Sequence, residues 1–159
     1  MPWDPRPVIH ELDLGGSVRL LGYIPDGRIV ELMNAADGFV YPSLYEGFGL
    51  PPLEAMACGT PTLVADGTSL PEVVGDGALK TDPRDVEEMA EALARLATDE
   101  ELRVELAKKG PERANEFTWA RAAEMLLHVF GEVGGGAEHD DGATHVAQTV
   151  APAPVGVER

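Results

Sequence analysis

Glu46 and Glu54 stand eight positions apart, on either side of a bend rich in glycine and proline: Glu46-Gly47-Phe48-Gly49-Leu50-Pro51-Pro52-Leu53-Glu54. Carboxylates hold hydroxyl-rich ligands by accepting from O–H groups. Loop amides and helix N-termini hold anions. One short stretch therefore supplies both means. Gly47 and Gly49 let the backbone approach a ligand with no Cβ in the way, so the amides of Phe48, Gly49 and Leu50 can face a hydroxyl-rich or anionic ligand. Pro51 and Pro52 preset the first helical turn but remove two N–H donors from it. Donors must then come from the loop before them, while the helix dipole still favours an anion. Plainer readings stand beside these: a solvent-facing acid at Glu46, an ordinary turn at the glycines, and at Glu54 an acid favoured in a first helical turn by the dipole.

The elements that position this stretch follow from local pattern. Residues 7–14 read as the end of a helix stopped by Gly15-Gly16. Val18 to Gly22 reads as a short strand ending at Tyr23 and Ile24. Asp26 can cap a helix to about Asn34, with Ile29, Leu32 and Met33 on its apolar face. Gly38 to Tyr41 is a continuous apolar run of strand length, as in a buried parallel sheet. A helix from Pro51 to about Cys58, a buried strand at Pro61–Val64, a short helix at Pro71–Val74 and a weak strand near Ala78–Lys80 follow. Asp82-Pro83-Arg84-Asp85 reads as a cap with proline in the first turn. The helix behind it carries the stripe Val86, Met89, Ala90, Leu93 and Leu96. Asp99 opens a second helix through Leu102 and Leu106, with acids in its first turn, and Thr118-Trp119 opens a third through Met125, Leu126 and Phe130. Alternation of strand and helix predicts an α/β fold, a Rossmann-like parallel sheet with flanking helices. Ligands of such sheets bind at the carboxyl ends of the strands.

The totals bound the function. At 159 residues the chain can bury one real core. A net charge of −16 argues against a nucleic-acid partner, which needs a basic face. No apolar run approaches the roughly 20 residues of a membrane span, and the N-terminus lacks a signal peptide's apolar stretch, so a soluble, cytoplasmic chain is expected. The single cysteine, Cys58, excludes an internal disulfide framework and reads as a small buried helix residue. From Glu132 onward the composition turns small, acidic and glycine-rich, which predicts a disordered tail over 132–159 behind a domain over 1–131. His139-Asp140-Asp141 and His145 in that tail are weak metal candidates. Serine-hydrolase and P-loop patterns are absent. Between Arg28 and Lys80 there is no lysine or arginine, while seven acids fall there.

The run Gly38-Phe39-Val40-Tyr41-Pro42-Ser43-Leu44-Tyr45-Glu46 through Pro61 closely resembles the core of the family 4 retaining glycosyltransferases of the GT-B type. Leu20 to Asp26, Ser69-Leu70-Pro71-Glu72-Val73-Val74-Gly75 and Phe117-Thr118-Trp119 resemble the family's flanking landmarks, in one register from about residue 7 to 130. The resemblance implies transfer of a sugar from a nucleotide diphosphate sugar to an unidentified acceptor with retained configuration. It implies no metal and no resident cofactor. By the same resemblance Glu46 contacts donor-sugar hydroxyls and supports positive charge at the anomeric carbon. Gly47, Phe48, Gly49 and Leu50 hold the sugar and diphosphate, Glu54 takes the ribose hydroxyls, and Tyr23 and Ile24 meet the nucleobase. A tyrosine merely packed at a strand end is the rival reading of Tyr23.

The family's architecture pairs this donor domain with an acceptor domain, and its full enzymes can associate with membranes. Against that pattern the chain reads as an incomplete C-terminal half of a GT-B fold. It lacks the two strands, and the basic phosphate-neutralising loop, that precede the helix ending near Leu14. Little activity is expected of the chain alone. Two rivals remain at this level: a non-catalytic nucleotide-sugar-binding module, and a glycoside hydrolase using Glu46 and Glu54 as its carboxylate pair.

Overall fold

The computed structural model describes residues 4–134. The chain divides into two compact units, Met1–Phe117 and Thr118–Arg159. The tail beyond residue 134, with His139, Asp140, Asp141 and His145, lies outside the described residues.

The first unit is built on a three-stranded parallel sheet in the order β1-β2-β3, with β1 at Phe39–Tyr41, β2 at Thr62–Ala65 and β3 at Leu79–Thr81. Phe39 pairs with Thr62 and Leu63 with Leu79, so the three strands run in step. Every residue of β2 is buried, as a central parallel strand requires. Its helices are α1 (Arg6–Glu11), α2 (Asp26–Ala35), α3 (Leu50–Ala57), α4 (Leu70–Val74), α5 (Val86–Thr98) and α6 (Glu100–Ala114). The expected α/β class is therefore present.

Two buried clusters hold the unit together. Met56, Val64, Ala65, Leu70, Val74 and Ala78 form one, with Tyr41 and Ala114 against it. Leu63, Leu96 and Leu106 form the other, with Leu79, Met89, Ala92 and Leu102 packed on it. Met56 of α3 sits where α6 comes closest. A Cβ on Gly110 would meet the Met56 backbone oxygen at 3.3 Å, so glycine is what lets these helices touch. The α5 start is capped by Asp85, whose carboxylate accepts from the amides of Glu87 and Glu88 at 3.0 Å each, a cap worth about 1 kcal/mol.

Several sequence expectations need correction. Residues 18–22 form no strand; Leu20 and Leu21 are exposed and Gly22 turns at φ 65. A strand needs a neighbour for its backbone groups, and among the described residues this segment has none. Helix α1 ends at Glu11 rather than Leu14, because Asp13 takes φ 52, well before Gly15. Pro25, not Asp26, occupies the capping position before α2, and no side chain caps this helix. Pro83 precedes α5 instead of lying in its first turn. The face of α5 that packs is Met89, Ala92 and Leu96, while Val86, Ala90 and Leu93 lie on the exposed side.

The second unit contributes α7 (Trp119–Gly134). The Thr118 hydroxyl accepts from the Arg121 amide at 3.1 Å and so opens this helix as the Thr-Trp pair predicts. Ala122, Leu126, Val129, Phe130 and Val133 recur at helical spacing and make one apolar stripe along it.

Candidate functional site

The glycine-rich loop leaves the carboxyl end of β1 and runs into α3, and the loop Asp66–Ser69 leaves the carboxyl end of β2 beside it. Two adjacent strand ends thus deliver two loops to the edge of the sheet where parallel α/β proteins bind ligands. The loops are tied together. The Glu46 amide donates to Thr68 Oγ1 at 3.1 Å, and Ser69 Oγ lies 3.0 Å from the Glu46 carbonyl oxygen and 3.1 Å from that of Phe48.

Glu46 is partly exposed and its carboxylate is held from below. The Tyr41 hydroxyl donates to Glu46 Oε1 at 2.6 Å. That bond favours the charged carboxylate and keeps the Glu46 carboxyl below the usual range, with a smaller contribution from Ser43. Ser43 has a competing partner, since its hydroxyl also reaches the Tyr45 carbonyl at 3.3 Å. The same Tyr41–Glu46 bond, with some burial, pushes the Tyr41 phenol up. An ionised carboxylate with a fixed oxygen and a free one can accept from ligand hydroxyls or face a developing cation.

Gly49 starts α3 at φ 103, and a Cβ there would meet Leu70 Cδ2 at 2.6 Å. Only glycine fits both the turn and the space. Beyond it the proline pair sets the turn as expected. The amides of Gly47, Phe48, Gly49 and Leu50 have no protein acceptor among the described residues, which leaves a row of donors beside the Glu46 carboxylate.

Phe48 does not stand alone. It meets Phe117 edge-on, ring centres 5.6 Å apart, and the Arg113 guanidinium lies 4.8 Å over the Phe117 ring. Arg113 also donates to the carbonyls of Val73, at 2.9 Å, and Glu72, at 2.5 Å, closing the end of α4. Phe117 was legible only as part of a motif; its contact with Phe48 spans 69 positions and carries no local signal.

Glu54 is the fifth residue of α3, so it lies past the first turn, not in it. The dipole explanation for an acid there weakens accordingly, because the effect fades within one turn. Its side chain is exposed and makes no hydrogen bond or ion pair among the described residues. Pro52, Leu53, Ala55 and Met56 bury the opposite side of the helix.

Tyr23 and Ile24 stand just before α2, and Tyr23 is 92% exposed. A tyrosine packed at a strand end is therefore wrong, since neither the strand nor the packing is present. Among the described residues no hydrogen bond joins these two to the glycine-rich loop. Cys58 closes α3 half-buried, and burial pushes its thiol up, which leaves it inert near neutrality.

A cleft of about 460 Å³ lies elsewhere, lined by Gly75, Asp76, Gly77, Lys109, Glu112, Arg113 and Glu116. Gly75–Gly77 precede β3, and Arg113 in the lining lies over Phe117, the ring that meets Phe48. The cleft's cations are committed, Lys109 to Glu105 and Arg113 to the end of α4. Among the described residues no three His, Cys, Asp or Glu side chains converge as a metal set would. No helix among them is long and apolar enough to cross a membrane.

Comparison with known proteins adds identity to this geometry. A family described as glycosyl transferases group 1 matches residues 7–113. The O-antigen chain mannosyltransferase B of Escherichia coli is 43% identical over 115 residues, 72% of this chain and 30% of that protein. A sucrose-phosphate synthase from Thermosynechococcus elongatus superposes with a TM-score of 0.74 at 30% identity, covering 83% of this chain and 34% of that one. Anabaena HepE, solved in complex with UDP and glucose, superposes with a TM-score of 0.72 at 26% identity, covering 80% of this chain and 35% of that one. These neighbours share the GT-B fold, of which the present sheet and helices form a part. The chain spans about a third of the length of such relatives, or less.

Proposed function

This chain belongs to the glycosyl transferases group 1 family, and from that premise we propose that its glycine-rich loop binds a nucleotide diphosphate sugar and serves sugar transfer with retained configuration. One observation carries the reading. The amides of Gly47 to Leu50, which have no protein acceptor among the described residues, share a loop with a carboxylate that accepts from the Tyr41 hydroxyl, at the carboxyl edge of a parallel sheet. Amides suit the diphosphate and sugar oxygens, and the carboxylate suits sugar hydroxyls. The UDP and glucose found with the HepE neighbour support this ligand class, and the mannosyltransferase relatives support a hexose.

In this reading the bond from the anomeric carbon to the diphosphate breaks first, and the electron pair leaves with the nucleoside diphosphate. An acceptor hydroxyl attacks from the face the diphosphate has left. The departing phosphate takes the acceptor's proton, so no separate base is required of this chain. Glu46 supports the positive charge on the sugar, and Glu54, exposed one turn into α3, accepts from the ribose hydroxyls. Tyr23 and Ile24 border the base. Complete turnover draws on an acceptor site that these residues do not supply, so the 159-residue chain is a donor-binding part with little transfer activity of its own.

Calorimetry with UDP and GDP, against free glucose and mannose, tests the reading. The nucleotides bind and the free sugars do not. Glu54→Ala weakens nucleotide binding by about tenfold or more, the value of a charge-assisted hydrogen bond. Absence of nucleotide binding refutes the proposal. Nucleotide binding indifferent to Glu54→Ala refutes the ribose role. Nucleotide binding without transfer, even when the rest of the relatives' architecture is supplied, favours a non-catalytic binding module.

A further inference from the structure

Thr68 is one of two non-glycine residues among those described that adopt a positive φ, at 51. A β-branched residue is a genuine outlier there, and such outliers persist where surrounding structure over-determines them, often beside functional groups. The surroundings do over-determine Thr68. Asp66 donates from its amide to the Thr81 carbonyl at 2.8 Å, extending the β2–β3 register, and Leu70 on the other side is fully buried. The intervening loop is thus anchored at both ends. From this support Thr68 Oγ1 accepts from the Glu46 amide, and Ser69 Oγ is placed to donate to the carbonyl of Glu46 or of Phe48.

We propose that the Thr68 and Ser69 hydroxyls are positioning groups that latch the backbone of Glu46–Phe48 in the form that presents its free amides to the donor. The inference rests on the donor reading above and extends it to two residues outside the glycine-rich loop. The latch consumes the backbone groups that would otherwise compete. With the Glu46 amide and one of the two carbonyls satisfied from the β2 side, the amides of Gly47, Phe48 and Gly49, which have no protein acceptor among the described residues, are left for a ligand. Thr68 and Ser69 themselves touch no reacting atom.

Three variants of the 159-residue chain test this: Thr68→Val, which deletes the acceptor, Ser69→Ala, and the conservative Thr68→Ser. Amide hydrogen exchange is read at Glu46 and, as an internal control, at Leu63 and Val64 of β2. UDP and GDP affinities are read by calorimetry. Exchange at Glu46 accelerates in Thr68→Val while Leu63 and Val64 keep their protection. Thr68→Val and Ser69→Ala each weaken UDP or GDP binding about three- to tenfold. Thr68→Ser retains both readouts close to the parent. Unchanged Glu46 exchange overturns the latch. Faster exchange with unchanged nucleotide affinity also overturns it, because the latch would then not serve the donor. If the parent chain binds neither nucleotide, the functional reading is what fails, and exchange at Glu46 alone decides whether the two hydroxyls hold the loop. Should Thr68→Val fail to fold, Thr68→Ala, which also deletes the acceptor, carries the same comparison.

Discussion

Tyr41 and Glu46 form a pair whose titration can be followed directly. Because the phenol hydrogen bond lowers the Glu46 carboxyl, the pair stabilises the fold above the unfolded carboxyl value of about 4.3. That contribution fades as pH falls through the lower folded value. On the alkaline side the raised Tyr41 phenol keeps its proton past about pH 10 and is lost only above that. Tyr41→Phe therefore moves the Glu46 midpoint up toward the ordinary range, while Glu46 stays ionised at neutral pH. Carbon NMR of the labelled carboxyl group reads the shift; an unmoved midpoint would show that the bond is not formed in solution. Glu46 itself was legible in sequence from its loop. Tyr41 was legible only as an apolar strand residue. Its second role depends on the chain doubling back within five positions, which alternation patterns do not encode. Thr68 was silent for a similar reason, since nothing in its neighbours' types announces a positive φ.

Helix α3 depends on the single residue that starts it. Gly49→Ala combines the strain of φ 103 with a collision at Leu70. A loss of about 1–3 kcal/mol is expected, more than an exposed glycine substitution costs. Chemical denaturation measures it, and a change under about 0.5 kcal/mol would mean the loop relaxes freely. The elements from Phe39 to Thr81 lie within a residue or so of their sequence positions, because buried apolar runs, glycines and prolines fix them locally. Residues 18–22 do not, although their composition is equally strand-like. Propensity supplies a candidate strand, but pairing makes it one. Helix α5 shows the same limit. Its apolar residues cover more of the circumference than the structure covers, so periodicity alone could not choose Met89, Ala92 and Leu96 over Val86, Ala90 and Leu93.

The whole chain carries a net charge of −16, and its central third holds acids without cations. Arg113, the guanidinium nearest Phe48 through Phe117, is already shared among two carbonyls, Glu116 and the ring. A diphosphate brought to Glu46 therefore meets uncompensated negative charge. Nucleotide affinity of this chain should hold or rise as salt increases from about 0.01 to about 0.15 M, because screening weakens repulsion. Calorimetry across that range checks the sign, and a steep fall would reveal a cationic contact that the fold does not show. The distribution of charge was plain in the sequence; that the nearest arginine is fully engaged was not, since its partners lie 40 and 41 positions away.

Strand β1 also bears on how the molecule behaves in company. It terminates the described sheet with three apolar or aromatic residues and no charged one. Lysines, prolines and bulges are common guards against one sheet joining another sideways; Phe39-Val40-Tyr41 carries none of these and relies on its shortness. In a concentrated solution of this chain, that border is where self-association is expected to start, a few residues from the loop proposed to hold the donor. Crowding would then cost ligand access before it costs the fold.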